Sequence, residues 1–167
     1  DQDLSAYPII IKYRLDPITN APVGFYSHKK EYFTLLEPSY ASYLLPCIYD
    51  PIVRSTFRIR LRIPINYTGI SNMPIKEEKR VEDEKEITFY TTPELCAYLV
   101  NIYVCKLDHI EGETSNGLPV KIYAEKGHSK YLKDYLNAAV YSIEWIESKT
   151  TVKYSLPHLQ LITHSGI

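Results

Sequence analysis

Between Ser55 and Gly69 the chain reads STFRIRLRIPINYTG, and nine consecutive residues of it alternate without exception. Phe57, Ile59, Leu61, Ile63 and Ile65 share one parity; Arg58, Arg60, Arg62 and Pro64 share the other. Only a β-strand puts residues two apart on one face. This segment must therefore bury one side against a core and offer its arginines to solvent or to a partner. Pro64 has no N–H to give to a ladder, which marks an edge position or the end of the strand. With Arg54 just upstream, four of the six arginines lie within nine residues.

Arginines two apart on a strand project at roughly 6.6 Å intervals, near the phosphate spacing along one nucleic-acid strand. Three uses fit such a face. It can pair with cross-strand acids on an exposed sheet, meet an acidic protein surface at a subunit contact, or track a nucleic-acid backbone with tyrosines as stacking platforms. The net charge of −1 gives the chain as a whole no attraction for polyanions, so a basic site would be local.

Around this strand the pattern predicts further elements. Tyr7–Leu15 is rich in β-branched and aromatic residues and predicts a strand. It is expected to pair back, across the turn signals of DPITNAPVG, with a second strand in FYSHKKEYFTLL. Ser39–Leu45, bounded by prolines, predicts a short helix. Ten charged residues between Lys76 and Glu86 predict a solvated, mobile excursion over 66–86. Ile87–Thr91 reads as a strand. Thr92-Pro93-Glu94 supplies an N-cap hydroxyl, a proline at the first helical position and an acid in the first turn, which predicts a short helix to Val100. Strands are expected over NIYVCKLDHI and LPVKIYAE, and two more over TTVKYSL and LQLITH.

The longest helical pattern runs from Ser129 to Ser148. Leu132, Leu136, Ala139, Ile143 and Ile146 form its core stripe, leaving Lys133, Asp134, Asn137, Glu144 and Glu147 for water. Tyr131, Ala138, Tyr141 and Trp145 widen the apolar arc beyond half the circumference, more than one sheet face covers. Tyr131, Tyr141 and Trp145 are therefore assigned to an interface. Together these elements predict one α+β domain over residues 1–167. Its antiparallel or mixed sheet of about six to eight strands would pack on one long C-terminal helix, with a shorter helix beside it.

Composition narrows the chemistry. The chain has 167 residues, with 45% apolar and 23% charged, ordinary values for a globular protein. Two glutamines against many Lys and Glu is the drift of proteins from hot environments, and suggests an archaeal or viral source. Cys47, Cys96 and Cys105 cannot all pair within one chain, and reduced thiols in a cytoplasmic protein are the expectation. No apolar run approaches the roughly 18 residues of a membrane span. Asn66-Tyr67-Thr68 is a glycosylation sequon, a triplet that also arises by chance.

Motifs for catalysis are missing. The histidines His28, His109, His128, His158 and His164 include no i, i+4 pair, and no cysteine lies two residues from another. Asp108-His109 followed by Glu111 is the densest polar knot, read as a strand end running into a turn. Asp83 and Lys85 form a D-x-K of the kind charge runs produce. No G-x-S-x-G, P-loop or G-x-G-x-x-G occurs. The sequence thus predicts no catalytic residue, metal ligand or cofactor. It predicts a non-enzymatic accessory or structural subunit that self-associates, foremost as a dimer, or docks on a ribonucleoprotein or viral assembly. The alternative is a nucleic-acid-binding module using Arg54, Arg58, Arg60 and Arg62.

Overall fold

The computed structural model describes residues 8–48 and 50–165. The first sheet pairs β1 (Gly24–His28) with β2 (Glu31–Leu35), then β9 (Ile102–Cys105), then β5 (Thr68–Ser71), all antiparallel. The second joins β4 (Arg60–Pro64), β7 (Glu84–Phe89) and β6 (Ile75–Val81), with β7 in the middle. A two-residue ladder links β3 (Arg54–Ser55) to β8 (Leu95–Cys96). The last sheet places β11 (Pro119–Glu125) between antiparallel β10 (Leu107–Glu113) and parallel β12 (Leu159–Thr163). The parallel crossover is made by α1 (Lys133–Thr150), packed back over β10 and β11.

The first and second sheets face each other across a core of Ile63, Ile87, Phe89 and Val104. Gly69 is a point of close approach between them. A Cβ built there would lie 2.8 Å from Ile87 Cδ1 and 3.1 Å from Ile63 Cδ1. The third sheet has its own core, where Val120, Ile122 and Ala124 of β11 meet Leu132 and Ala139 below the helix. A smaller cluster of Tyr26, Phe33 and Cys105 fills the first sheet on its other side.

The architecture is β-rich, and the expectation of one sheet packed on a long helix is wrong. Strand accounts for 38% of the described residues and helix for 17%, spread over several sheets. The main cause is the charged stretch. It is no irregular excursion: after β5 it folds into the β6–β7 hairpin, turning at Glu82, whose φ is +56°. Six of the seven residues of β6 are exposed, so its charges stay in water while its backbone pairs with β7. Lys85 reaches Glu78 across the strands at 3.4 Å, and Lys79 meets Glu77 at 2.8 Å. An edge strand with such a surface resists pairing with another chain. Charge density marks exposure here and says nothing about regularity.

Other boundaries also move. The hairpin over 7–36 lies wholly within β1–β2; Tyr7 is outside the described residues, and 8–17 holds no strand. Ser39–Leu45 contains only a 3-10 turn, Ala41–Tyr43. No α-helix starts at Thr92. Its hydroxyl accepts the Phe57 N–H at 2.8 Å, and its own N–H donates to the Phe57 carbonyl at 2.9 Å, so the supposed cap fastens the alternating strand instead. The chain then forms β8 and a 3-10 turn, Ala97–Leu99. The long helix is present, preceded by a 3-10 turn over Ser129–Tyr131. Ile146, assigned to its core stripe, is 51% exposed. Glu144 and Glu147, assigned to water, are anchors: Glu144 accepts the Ser115 N–H at 2.6 Å, while Glu147 accepts from Tyr154 N, Lys153 Nζ and Asn116 Nδ2.

The contact at Gly69 is open to a double-mutant cycle. Gly69→Val is expected to cost about 1–3 kcal/mol through overpacking, and Ile87→Ala about 2–5 kcal/mol through the cavity it leaves. Because Ile87 Cδ1 occupies the space the valine needs, the double variant should be more stable than the sum of the two costs. Urea unfolding of the four proteins measures this; strict additivity would contradict the contact.

Candidate functional site

Of the alternating run only Arg60–Pro64 is strand, β4, at the edge of its sheet; Arg58, Arg60, Arg62 and Pro64 are exposed while Phe57, Ile59, Leu61 and Ile63 turn inward, but Ile65, of the same parity, is exposed. Its arginines are spread over several partners. Arg62 Nε lies 2.5 Å from Glu84 Oε2, Arg58 Nε lies 3.5 Å from Thr91 Oγ1, and Arg60 sits close enough to Glu77 to help hold that carboxyl low. Arg54 belongs to β3, in register with Cys96 of β8. Two of the four, Arg60 and Arg62, thus lie beside acids of β6 and β7.

The knot at 108–111 also dissolves into structural pairs. Asp108 Oδ2 accepts the Gly127 N–H at 2.7 Å, the His109 ring faces Tyr123 at 5.4 Å, and Glu111 pairs with Lys121 at 2.8 Å. Asp83 lies in the β6–β7 turn, and Lys85 is engaged by Glu78. Among the described residues no three His, Cys, Asp or Glu are grouped to hold a metal ion. All three cysteines are free. Burial pushes the Cys105 thiol up to about 12, with the nearby Glu31 carboxylate adding to the effect.

What the structure does assemble is a cleft between the first sheet and β12. Two cavities of about 250 and 360 Å³ open along it and share Ile70, His158 and Gln160. Asn72 and Asn101 form the far wall. Asn72 Oδ1 accepts the Asn101 N–H at 2.8 Å, Asn72 Nδ2 donates to the Leu99 carbonyl at 2.7 Å, and Ser71 Oγ donates to the Asn101 carbonyl at 2.8 Å. From β12, Gln160 Nε2 donates to the Ser71 carbonyl at 3.2 Å and to Nε2 of His158, the residue just before the strand, at 2.6 Å. His158 also bonds the backbone of Asn72, and burial holds its pKa below the ordinary imidazole value, with Lys121 pushing the same way. A ring whose Nε2 accepts from Gln160 is neutral. Tyr103 and Tyr154 complete the first cavity, and burial raises both phenols, so they too stay uncharged.

Beyond the cleft, just past the end of β12, the buried ring of His164 lies 2.7 Å from Glu31 Oε2 and 3.5 Å from Glu125 Oε1. Ser165 donates to Glu125 from both its N–H and its hydroxyl, which together hold that carboxyl below its usual range. Sequence reasoning passed over this constellation. The available signal was period two in HLQLITH: His158, Gln160, Ile162 and His164 share one parity, opposite to that of Leu159 and Leu161.

Comparison with known proteins bears on this architecture. Residues 2–99 match the family model of the peptidase M1 N-terminal domain. The chain is 33% identical over 131 residues to a puromycin-sensitive aminopeptidase of Caenorhabditis elegans, covering 77% of this chain and 14% of that protein. It is 33% identical over 129 residues to aminopeptidase M1 of Arabidopsis thaliana, covering 77% and 15%. With the alanine/arginine aminopeptidase of Saccharomyces cerevisiae the identity is 30% over 129 residues, again 77% and 15%. The chain thus spans about a seventh of the length of these curated relatives. These likenesses overturn the reading as a non-enzymatic accessory or structural subunit of archaeal, viral or ribonucleoprotein origin, and the nucleic-acid-binding alternative with it. The Lys- and Glu-rich composition was no guide to source. Among the described residues no helix is long and apolar enough to cross a membrane.

Two measurements test the geometry. His158 is held neutral in the fold, so the unfolded chain takes up its proton first, and stability falls as pH drops below about 6.5, the unfolded imidazole value. His158→Asn should therefore lose less stability than the parent between pH 7.5 and 5.5, read from urea midpoints; an identical loss would remove His158 from this role. Secondly, Ellman titration of the native protein should modify half-buried Cys47 first and leave Cys105 unmodified until the chain unfolds.

Proposed function

Since the chain belongs to the family of the peptidase M1 N-terminal domain, we propose that it is the β-rich amino-terminal portion of an aminopeptidase. In this reading it forms one wall of the site that receives a peptide, while the hydrolytic groups lie on polypeptide other than the residues described. The observation that carries the proposal is the family match across residues 2–99. Relatives named as aminopeptidases, each aligned over 77% of this chain, support it. The substrate class is a peptide with a free amino end, and the reaction is removal of its first residue.

The chemistry of the cleft suits that role. Asn72, Asn101, Gln160 and neutral His158 offer uncharged donors and acceptors. A peptide backbone brings one donor and one acceptor per residue, which carboxamide side chains can match without the desolvation cost of an ion. Ile70, Ile162 and the two tyrosines supply apolar surface beside them. Its three unpaired cysteines, two of them buried, favour a reducing compartment, and we assign the protein to the cytoplasm on that ground.

A domain exchange tests the reading. This chain replaces the corresponding region of the yeast alanine/arginine aminopeptidase, and release of the chromophore from alanine and arginine anilides is followed. The hybrid is expected to retain turnover, and Gln160→Ala within it should raise KM more than it lowers kcat. The chain alone should release nothing. A folded hybrid with no turnover, beside an active parent, would contradict the proposal.

A further inference from the structure

The hairpin between β1 and β2 turns on two lysines. His28 faces Glu31 across the ladder, so Lys29 and Lys30 alone make the loop, with φ of +49° and +65°. A two-residue turn with both central residues left-handed is of type I′, which Asn-Gly or Asp-Gly fills with little strain. A long side chain is disfavoured at both places. The strands set two more lysines beside these. The register of β2 with β9, Tyr32 against Val104, carried two residues on, places Lys30 opposite Lys106. The register of β10 with β11, Leu107 against Glu125, carried one residue on, places Lys106 opposite Lys126. The Lys126 N–H donates to the Lys106 carbonyl at 3.2 Å. Tyr67 joins the other two: its hydroxyl donates to the Lys30 carbonyl at 3.1 Å, and Lys106 Nζ lies 5.2 Å from its ring centre.

Like charges set opposite one another on neighbouring strands are destabilising, and the left-handed lysines add strain to that. Lys29, Lys30, Lys106 and Lys126 are all exposed, and among the described residues none of them forms an ion pair. The carboxylates around them are held by other groups: Glu31 by His164 and the Lys106 N–H, Glu125 by Ser165 and His164, Asp108 by the Gly127 N–H. Local rules broken together at one place mark a surface kept for binding. We infer that these four lysines form a docking surface for a carboxylate-rich segment of another protein. Two observations select that partner. The backbone donors of Lys106, Lys126 and Gly127 are already engaged, which leaves no run of N–H groups there to cradle a phosphate, and the row holds no arginine fork. What it offers is point charges on flexible stems, which match carboxylates strung along a flexible chain. Lysine is also depleted where protein surfaces are permanently covered. The row therefore suits a solvated contact that forms and breaks, not the packing of this chain against polypeptide joined to it. None of the four lines either cavity of the cleft, so this surface is separate from the proposed peptide site.

The turn gives the test. A fluorescein-labelled oligoglutamate peptide is the probe, and its anisotropy is followed as the chain is added at low and at high salt. Binding is expected at low salt and should weaken about tenfold at high salt. Lys29→Asn with Lys30→Gly installs the pair that a type I′ turn favours. It should weaken binding about tenfold while raising the urea midpoint, because the strain leaves with the charge. A turn with a merely structural role cannot give both results. Lys126→Gln, which leaves the turn untouched, should weaken binding as well. Lys76→Gln with Lys79→Gln removes as much charge from the exposed strand β6 and should leave the affinity unchanged. A parent that does not bind the peptide at low salt would overturn the proposal. So would a turn variant that binds as well as the parent, or one whose urea midpoint falls. Tripolyphosphate displacing the probe at lower concentration than unlabelled oligoglutamate of equal charge would overturn the choice of carboxylates. None of these outcomes touches the peptidase reading, which the domain exchange decides separately.

Discussion

The approach of β5 to the second sheet, at Gly69, is the constraint on which the rest of the structure depends. With hydrogen in place of a side chain, Ile63 and Ile87 of the facing strands close directly onto the backbone. That contact fixes the separation of the two sheets and seals the core of Ile63, Ile87, Phe89 and Val104. It also fixes the position of Ser71, two residues along the same strand, whose carbonyl accepts from Gln160. A steric allowance at one glycine thus sets where one wall of the cleft stands. The other wall follows, because β9, the partner of β5, leads after Lys106 into β10 and the third sheet.

How much of this was legible in the sequence differs by element. The strand at Arg60–Pro64, the long helix and the strand at 119–125 are visible because an apolar stripe runs through each, whereas NIYVCKLDHI, read as one strand, breaks at Lys106 into β9 and β10 of different sheets. The β6–β7 hairpin was not visible, because Ile75–Val81 buries almost nothing. Such a strand is held by its ladder to β7 and by cross-strand charges, neither of which leaves a periodic hydrophobic trace. Thr92-Pro93-Glu94 misled for a related reason. A threonine hydroxyl that can cap a helix can equally accept an N–H from a strand thirty-five residues away, and only tertiary context decides which donor is present.

The candidate site was harder still. Its two walls come from segments 89 residues apart at the Ser71–Gln160 contact, and no local pattern announces that they meet. Histidine and glutamine at alternate positions of a short strand look like a solvent-facing edge. Read alone, His158 and Gln160 carry no more weight than Asp108 and His109, which proved to be structural. What distinguishes them is the company the fold provides: buried aromatic and aliphatic neighbours, a cavity on either side, and hydrogen-bond partners on the opposite sheet.

The same parity that makes β12 a wall of the cleft makes it a seam. His158, Gln160 and His164 tie it to the backbone of Asn72, the carbonyl of Ser71 and the carboxylate of Glu31, and Ile162 lies in the cleft between them. The two cavities share His158 and Gln160, so the groups that would contact a ligand also hold the sheets together. A side chain so committed cannot swing away to admit a ligand without loosening the seam. On the reading proposed above, recognition would proceed through the hydrogen-bond positions left over once the seam is made, with Lys121 the charged side chain that lines the second cavity. In the first cavity, whose lining is uncharged, shape and amide pairing would then discriminate between ligands more strongly than charge, which is what a wall for the backbone of a peptide, as opposed to its ionised amino end, would require.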